Sequence, residues 1–204
     1  MNGSAEQVIV DYTSTAGQTV THARGTVLVN SLENLRTMGL FERYTAFLPT
    51  GERDEILYAL AASWVPVQLI MTHYHACDRL GISEADIARA AELTSKRMSS
   101  TFFARAFRVA RNGGMDAFPR VMAGCHRFFD RLYMGGGCTA LRTGPKDMIV
   151  ESHGLPFAGS LYFRAVYLSF FRLSAAMFCK SNLVRYVRAR RPDPGTLAIS
   201  CSWV

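Results

Sequence analysis

The sequence predicts an α+β domain in which an N-terminal helical bundle packs on a small, mainly antiparallel sheet. The expected order is helices, strand, strand, helix, strand, strand. Three observations predict it. Up to Met134 the apolar residues recur mostly at helical spacing. At Gly135-Gly136-Gly137 the period changes, and short runs joined by turn residues follow. The closing quarter then pairs an aromatic-rich helix with a hairpin turned at Pro192-Asp193-Pro194-Gly195.

Residues 1–24 mix Ser, Thr, Gly and Gln around a short apolar run at Val8 to Val10, and read as an N-terminal arm. Residues 25–204 read as one α+β domain of ligand-binding type. Its first helix carries Val27, Leu28, Leu32 and Leu35 as a stripe, stopped by Gly39. A short segment from Leu40 to Leu48 is closed by Pro49. Thr50 can then cap a helix whose inner face is Ile56, Leu57 and Leu60. Pro66 marks a further helix starting near Val65 and stopped by Gly81, because a proline in the first turn loses no hydrogen bond.

Ser83-Glu84-Ala85-Asp86 forms a capping box for a long helix to about Ala110, with Ile87, Ala91, Met98, Phe102, Ala106 and Val109 inward. Asn112-Gly113-Gly114 breaks it. A helix from Asp116 to Met134 presents Phe118, Met122, Cys125, Phe129 and Leu132 on one face. After the glycines, Cys138 to Thr143 and Asp147 to Ser152 read as strands joined at Gly144-Pro145-Lys146. Phe157 to Phe178 is apolar nearly all round, as a helix covered on several sides must be. Asn182 to Arg191 and Thr196 to Val204 form the closing hairpin, the latter with Leu197, Ile199, Cys201 and Trp203 on one apolar face.

A chain of 204 residues with 49% hydrophobic content suffices for one domain with a substantial core. The opening residues lack the charged and apolar regions of a signal peptide, so a cytoplasmic location is expected. Arg164 and Arg172 interrupt the longest apolar tract, Leu161 to Phe178, which therefore reads as a buried helix and not a membrane span. The five cysteines are widely spaced and lack any C-x-x-C pair, so reduced, mostly buried thiols are expected.

The formal charge of +7 is carried mainly by arginine, in clusters at Arg105, Arg108 and Arg111, at Arg120, Arg127 and Arg131, and at Arg185, Arg188, Arg190 and Arg191. Solvated faces account for most such charge. The last cluster is the candidate surface for an acidic protein partner. Nucleic acid is disfavoured, since neither an RNA-binding aromatic motif nor a helix-turn-helix pattern accompanies it.

Three constellations invite chemistry. His73-Tyr74-His75-Ala76-Cys77 holds residue types that ligate zinc. On a helix, however, His75 points some 200° from His73, leaving two partly exposed histidines and a core cysteine. Cys125-His126 lacks the third group and oxyanion hole of a cysteine nucleophile. The triple glycine follows a helix and precedes a strand, the reverse of a phosphate-cradling loop, and reads as a helix stop. No catalytic or metal site is predicted.

From Gly25 onward, the order of elements resembles the fold shared by haem-based nitric-oxide-binding sensors, Bet3-like subunits of vesicle-tethering complexes and 4-vinyl-reductase-type ligand-binding domains. Within that group the chain looks most like a family abundant in myxobacteria and related bacteria. The residues that carry the resemblance are Gly25 with its Val-Leu helix, the Gly144-Pro145-Lys146-Asp147 turn and the terminal hairpin. Haem sensors of this fold hold the haem with a helical histidine and a Tyr-x-Ser-x-Arg motif. Here Ser160-Leu161-Tyr162-Phe163-Arg164 has those residue types in another order, and His126 alone is a poor axial ligand, so no haem or other cofactor is expected.

The resemblance and the apolar, Met-rich interior together imply a non-enzymatic regulatory or sensory module. Its small apolar ligand would sit among Met122, Cys125, Phe129, Tyr162, Phe171 and Trp203. The alternative is a dimeric scaffold that uses Arg185, Arg188, Arg190 and Arg191.

Overall fold

The computed structural model describes residues 7–12, 18–90, 118, 121–122 and 124–204. Along the chain run β1 (Gln7–Tyr12), β2 (His22–Arg24), α1 (Thr26–Thr37), α2 (Phe41–Thr45), α3 (Thr50–Leu57), β3 (Trp64–Pro66) and α4 (Val67–Asp78). Residues 84–90 are helical. Then follow α5 (Cys125–Leu132), β4 (Tyr133–Met134), β5 (Gly137–Gly144), β6 (Asp147–His153), α6 (Leu161–Ala176), β7 (Asn182–Val187) and β8 (Leu197–Trp203). The predicted α+β class and order of major elements are those observed. The inward residues expected from Ala91 to Val109, the break at Asn112 to Gly114, and Arg105, Arg108, Arg111 and Arg120 lie outside the described residues.

A five-stranded antiparallel sheet has the order β1-β5-β6-β8-β7. Its central strands bury Ala140, Leu141, Met148, Val150 and Ile199 completely. Each of the four larger side chains contributes about 1.5–3 kcal/mol when removed from water. Helix α6 packs on β7 and β8 and also meets α4, so it lies between the sheet and the helical part. That position explains its apolar circumference. Its two arginines escape burial differently: the Arg164 guanidinium stacks 4.7 Å from the Tyr186 ring centre, and Arg172 pairs with Glu84 at 3.2 Å.

Several boundaries differ from expectation, each for a local reason. Two pieces of the expected N-terminal arm are strands: β1 pairs with the free edge of β5, and β2 is the middle strand of a three-stranded sheet, β3-β2-β4. The helix expected from Val65 begins after Pro66, whose ψ of 139° keeps Trp64–Pro66 extended and paired with β2. The helix expected to reach Met134 stops at Leu132, where Tyr133 turns extended and pairs with Ala23. Leu60, expected on the inner face of α3, lies beyond that helix and is 73% exposed. Finally, α6 starts at Leu161 and not Phe157, because Ser160 is extended and its hydroxyl caps the Phe163 N–H at 3.1 Å.

Two glycine positions are dictated by close approach. A Cβ on Gly25 would lie 2.0 Å from the Leu60 carbonyl oxygen, so only hydrogen lets α1 begin against that loop. Gly136, with φ of 69°, donates its N–H to the Gln18 carbonyl at 3.0 Å. A Cβ there would lie 2.6 Å from the His153 carbonyl oxygen. The glycine run thus turns the chain from β4 into β5 and lets residues 18–20 cross between the two sheets.

Candidate functional site

Beneath α6, four elements bring a polar cluster into an otherwise apolar interior. Ser31 projects from α1, Tyr44 from α2, His73 and Cys77 from α4, and Tyr162 from the first turn of α6. His73 is wholly buried. Its Nδ1 is 2.6 Å from the Tyr44 hydroxyl and its Nε2 is 2.8 Å from the Ser31 hydroxyl. Ser31 is in turn 3.0 Å from the Tyr162 hydroxyl, and Cys77 Sγ lies 3.6 Å from Nε2. A neutral imidazole suits this arrangement, with one nitrogen donating and the other accepting.

Electrostatics keep the cluster neutral. Burial lowers the His73 pKa to about 3. Burial raises the Tyr44, Tyr162 and Cys77 pKa values above their ordinary range; repulsion from an ionised Cys77 is a lesser cause for the two tyrosines, and the charge of Asp78 a lesser cause for Cys77. At neutral pH the group therefore offers hydrogen bonds without a charge, a poor provision for a general base and a good one for fixing four helices together.

This corrects the expectation of two partly exposed histidines: His73 is buried and His75 alone is exposed. Both His73 nitrogens face hydroxyls, and among the described residues no group of three or more His, Cys, Asp or Glu could hold a metal ion. Ser31 and Tyr44, which complete the cluster, and Asp78 beside it carry no signal in the sequence that singles them out. The signal for His73 was present, because Ile70 and Cys77, three residues before and four after, are buried on the same face.

Asp78 ends α4 by holding the start of α6. Its Oδ1 accepts from the Ser160 hydroxyl at 3.0 Å and from the Tyr162 N–H at 2.8 Å. A carboxylate there also favours the positive end of the helix.

All six predicted pocket residues, Met122, Cys125, Phe129, Tyr162, Phe171 and Trp203, are buried. Three of them share one network of rings. Phe129 meets Tyr133 at 5.0 Å, Tyr133 meets Phe157 at 5.7 Å, and Phe157 meets Phe163 at 4.7 Å. Tyr74 joins Phe157 and Phe163 to Tyr162, and Tyr167 joins Phe163 to Phe171. Trp203 belongs to a second group with Phe118, at 5.1 Å, and Phe178. Cys125 faces Cys138 of β5, sulfur to sulfur at 3.2 Å. A cleft of about 440 Å³ lies elsewhere, on the surface between α6 and β7, lined by Arg172, Leu173, Ala176, Asn182, Leu183 and Val184.

The string that shares residue types with a haem-propionate motif does not converge. Ser160 caps α6, Tyr162 turns inward to Ser31, and Arg164 turns outward onto Tyr186. Three side chains committed in three directions form no cradle for carboxylates, so this string does not fit a haem.

The four candidate partner-binding arginines also divide. Arg190 is engaged within the chain: its N–H donates to the buried Glu151 carboxylate at 2.7 Å, and its Nε lies 3.8 Å from the other oxygen. Arg185 on β7, and Arg188 and Arg191 beyond it, are exposed. Among the described residues no helix is long and apolar enough to cross a membrane.

The geometry has counterparts among solved structures. No protein-family model and no curated protein sequence matches the chain. The fold is similar to that of the Fe(II) unliganded H-NOX protein from K. algicida, with TM-score 0.61, 6% identity, and coverage of 89% of this chain and 96% of that one. It is also similar to a mutant of T. Tengcongensis H-NOX, with TM-score 0.55, 12% identity and coverage of 88% and 97%. A Cs H-NOX mutant carrying 4-cyano-L-phenylalanine aligns at TM-score 0.57 and 12% identity, with coverage of 88% and 96%. The structural likeness is therefore to the haem nitric oxide/oxygen-binding domain fold, at low sequence identity and across nearly the whole of both chains.

Proposed function

We propose that this chain is a non-enzymatic regulatory or sensory module that takes a small apolar ligand among Met122, Cys125, Phe129, Tyr162, Phe171 and Trp203, without haem. The observation that carries the reading is the linked set of buried aromatic rings that runs from Phe129 on α5 to Phe163 on α6. Such a lining rewards apolar contact and offers an ion no partner. Likeness to H-NOX structures over nearly the full chain supports a sensory role by fold analogy. The divergent Ser160, Tyr162 and Arg164 support the haem-free part.

Helix α6 is the element suited to relay occupancy. Tyr162 touches the polar cluster at one end, while Phe171, two and a half turns on, lies beside the ring network. A ligand that displaces Phe129 or Phe171 would shift α6 against α4 and the sheet.

Thermal denaturation against a panel of aromatic and fatty-acid ligands tests this, with native mass spectrometry of the purified chain. A true ligand at a hundredfold excess over its Kd stabilises by about 2.7 kcal/mol, raising Tm by roughly 5–10 °C. An empty protein that no such ligand stabilises would refute ligand binding, and a Soret band after expression with haem supplied would refute the haem-free reading.

One observation favours a second reading, a dimeric scaffold with an acidic partner. Arg185 on the edge strand β7 and Arg188 and Arg191 just beyond it stand exposed, and Leu183 of the same strand is exposed too. Charge reversal at the three arginines should abolish salt-sensitive capture of an acidic polypeptide; unchanged capture would remove this reading.

A further inference from the structure

We infer that Cys125 and Cys138 are a reversible redox pair, closing to a disulfide that locks α5 onto β5 when the protein meets a hydroperoxide. The inference stands on the geometry of the two sulfurs and does not depend on the ligand proposed above. Their separation is 3.2 Å, and a disulfide bond is about 2.0 Å long, so closure needs a movement of roughly 1.2 Å. The two residues come from different elements, at the first turn of α5 and the second position of β5. The chain between them is short and turns through the left-handed Gly135 and Gly136.

The environment gives the two thiols different roles. Both residues are buried, Cys125 slightly less so than Cys138. The Cys138 thiol and the backbone N–H groups at the start of α5 lower the Cys125 pKa, favouring its thiolate. The remaining thiols, Cys77, Cys179 and Cys201, are all shifted upward by burial. Cys125 is therefore the nucleophile and Cys138 the resolving thiol. Ser152 of β6, the register partner of Cys138, contacts the Tyr167 hydroxyl of α6.

The chemistry balances with a hydroperoxide as the oxidant. The Cys125 thiolate attacks a peroxide oxygen, forming an S–O bond and breaking the O–O bond; for hydrogen peroxide the hydroxide released takes a proton and leaves as water. The Cys138 sulfur then attacks Cys125 Sγ, the S–S bond forms, the S–O bond breaks, and a second water leaves. Two thiols lose two electrons, which reduce one hydrogen peroxide to two waters. A thiol reductant reverses the state by exchange.

The full chain, reduced and then treated with hydrogen peroxide, should lose two of its five alkylatable thiols and the mass of two hydrogens. Peptide mapping should place the cross-link between Cys125 and Cys138, and dithiothreitol should restore both thiols. C138S should form no disulfide and should instead yield a dimedone adduct at Cys125, whereas C125S should give neither. C201S should keep the cross-link. Five free thiols after oxidation of the wild-type chain, or a cross-link mapped to another pair, would overturn the inference whether or not the serine variants fold.

Discussion

His73 makes a quantitative test of the interior, because one ring nitrogen pair carries the hydrogen bonding of two helices. Consider His73→Gln, which keeps an amide donor and acceptor but cannot titrate. The His73 pKa is about 3 in the folded chain against an ordinary 6.5. Above the ordinary value the imidazole is neutral in both folded and unfolded chains, and its contribution is fully present. As pH falls, the unfolded chain takes up the proton first, so stability declines through the whole interval down to about pH 3. The loss is about 1.4 kcal/mol per pH unit, hence about 2 kcal/mol at about pH 5 and about 5 kcal/mol once the folded ring protonates.

Urea denaturation of wild type and variant at about pH 7.5 and about pH 5 measures this directly. At the higher pH the variant should be less stable by about 1–3 kcal/mol, from imperfect pairing of the Tyr44 and Ser31 hydroxyls. On acidification the wild type should lose about 2 kcal/mol more than the variant, an excess shift of its urea midpoint of about 1 M. Contributions from all other groups cancel in that difference. Parallel pH profiles for the two proteins would refute the claim that a neutral, buried His73 is the acid-sensitive element.

Two further substitutions probe how the elements meet. Gly25→Ala drives a Cβ to within 2.0 Å of the Leu60 carbonyl oxygen and should cost about 2–3 kcal/mol in thermal denaturation, although its φ of −56° suits any residue. Ser160→Ala removes the cap of α6 and one of the two donors to Asp78, costing about 1–2 kcal/mol. The loss on combining it with Asp78→Ala should be smaller than the sum of the single losses, because both act on one hydrogen-bonded joint.

What the sequence made legible were the features encoded within one element. Gly39 and Gly81 close their helices with φ of 69° and 64°, Ser83 caps through the Asp86 N–H, and β8 buries Leu197, Ile199, Cys201 and Trp203 as read, with Ala198 of the other face buried as well. Strands of two or three residues, β2, β3 and β4, are too short to repeat an alternating pattern and exist because neighbouring backbones pair them. Strand β1 draws its partners from β5, more than a hundred residues away. At the candidate site, the burial of the six pocket candidates is legible in their apolar character and spacing. The polar cluster is not, since Ser31, Tyr44 and Tyr162 acquire meaning only when three separate helices bring their hydroxyls together, those of Tyr44 and Ser31 onto the His73 imidazole and that of Tyr162 onto Ser31.

The place of β8 in the sheet also bears on how the chain reaches this fold. Among the described strands it is the last in chain order, yet it lies inside the sheet, paired with β6 on one side and β7 on the other. During vectorial synthesis β7 therefore emerges with no neighbour to accept its hydrogen bonds, and β6 keeps one side open. Ile199 and Cys201, both fully buried, arrive only when that gap is filled. Completion of the core is consequently a late, long-range event, of the kind that slows folding and leaves strand edges open to other chains until it occurs. Removing β8 would strand β7 without its partner and leave three paired strands, whereas a loss at either edge would only narrow the sheet.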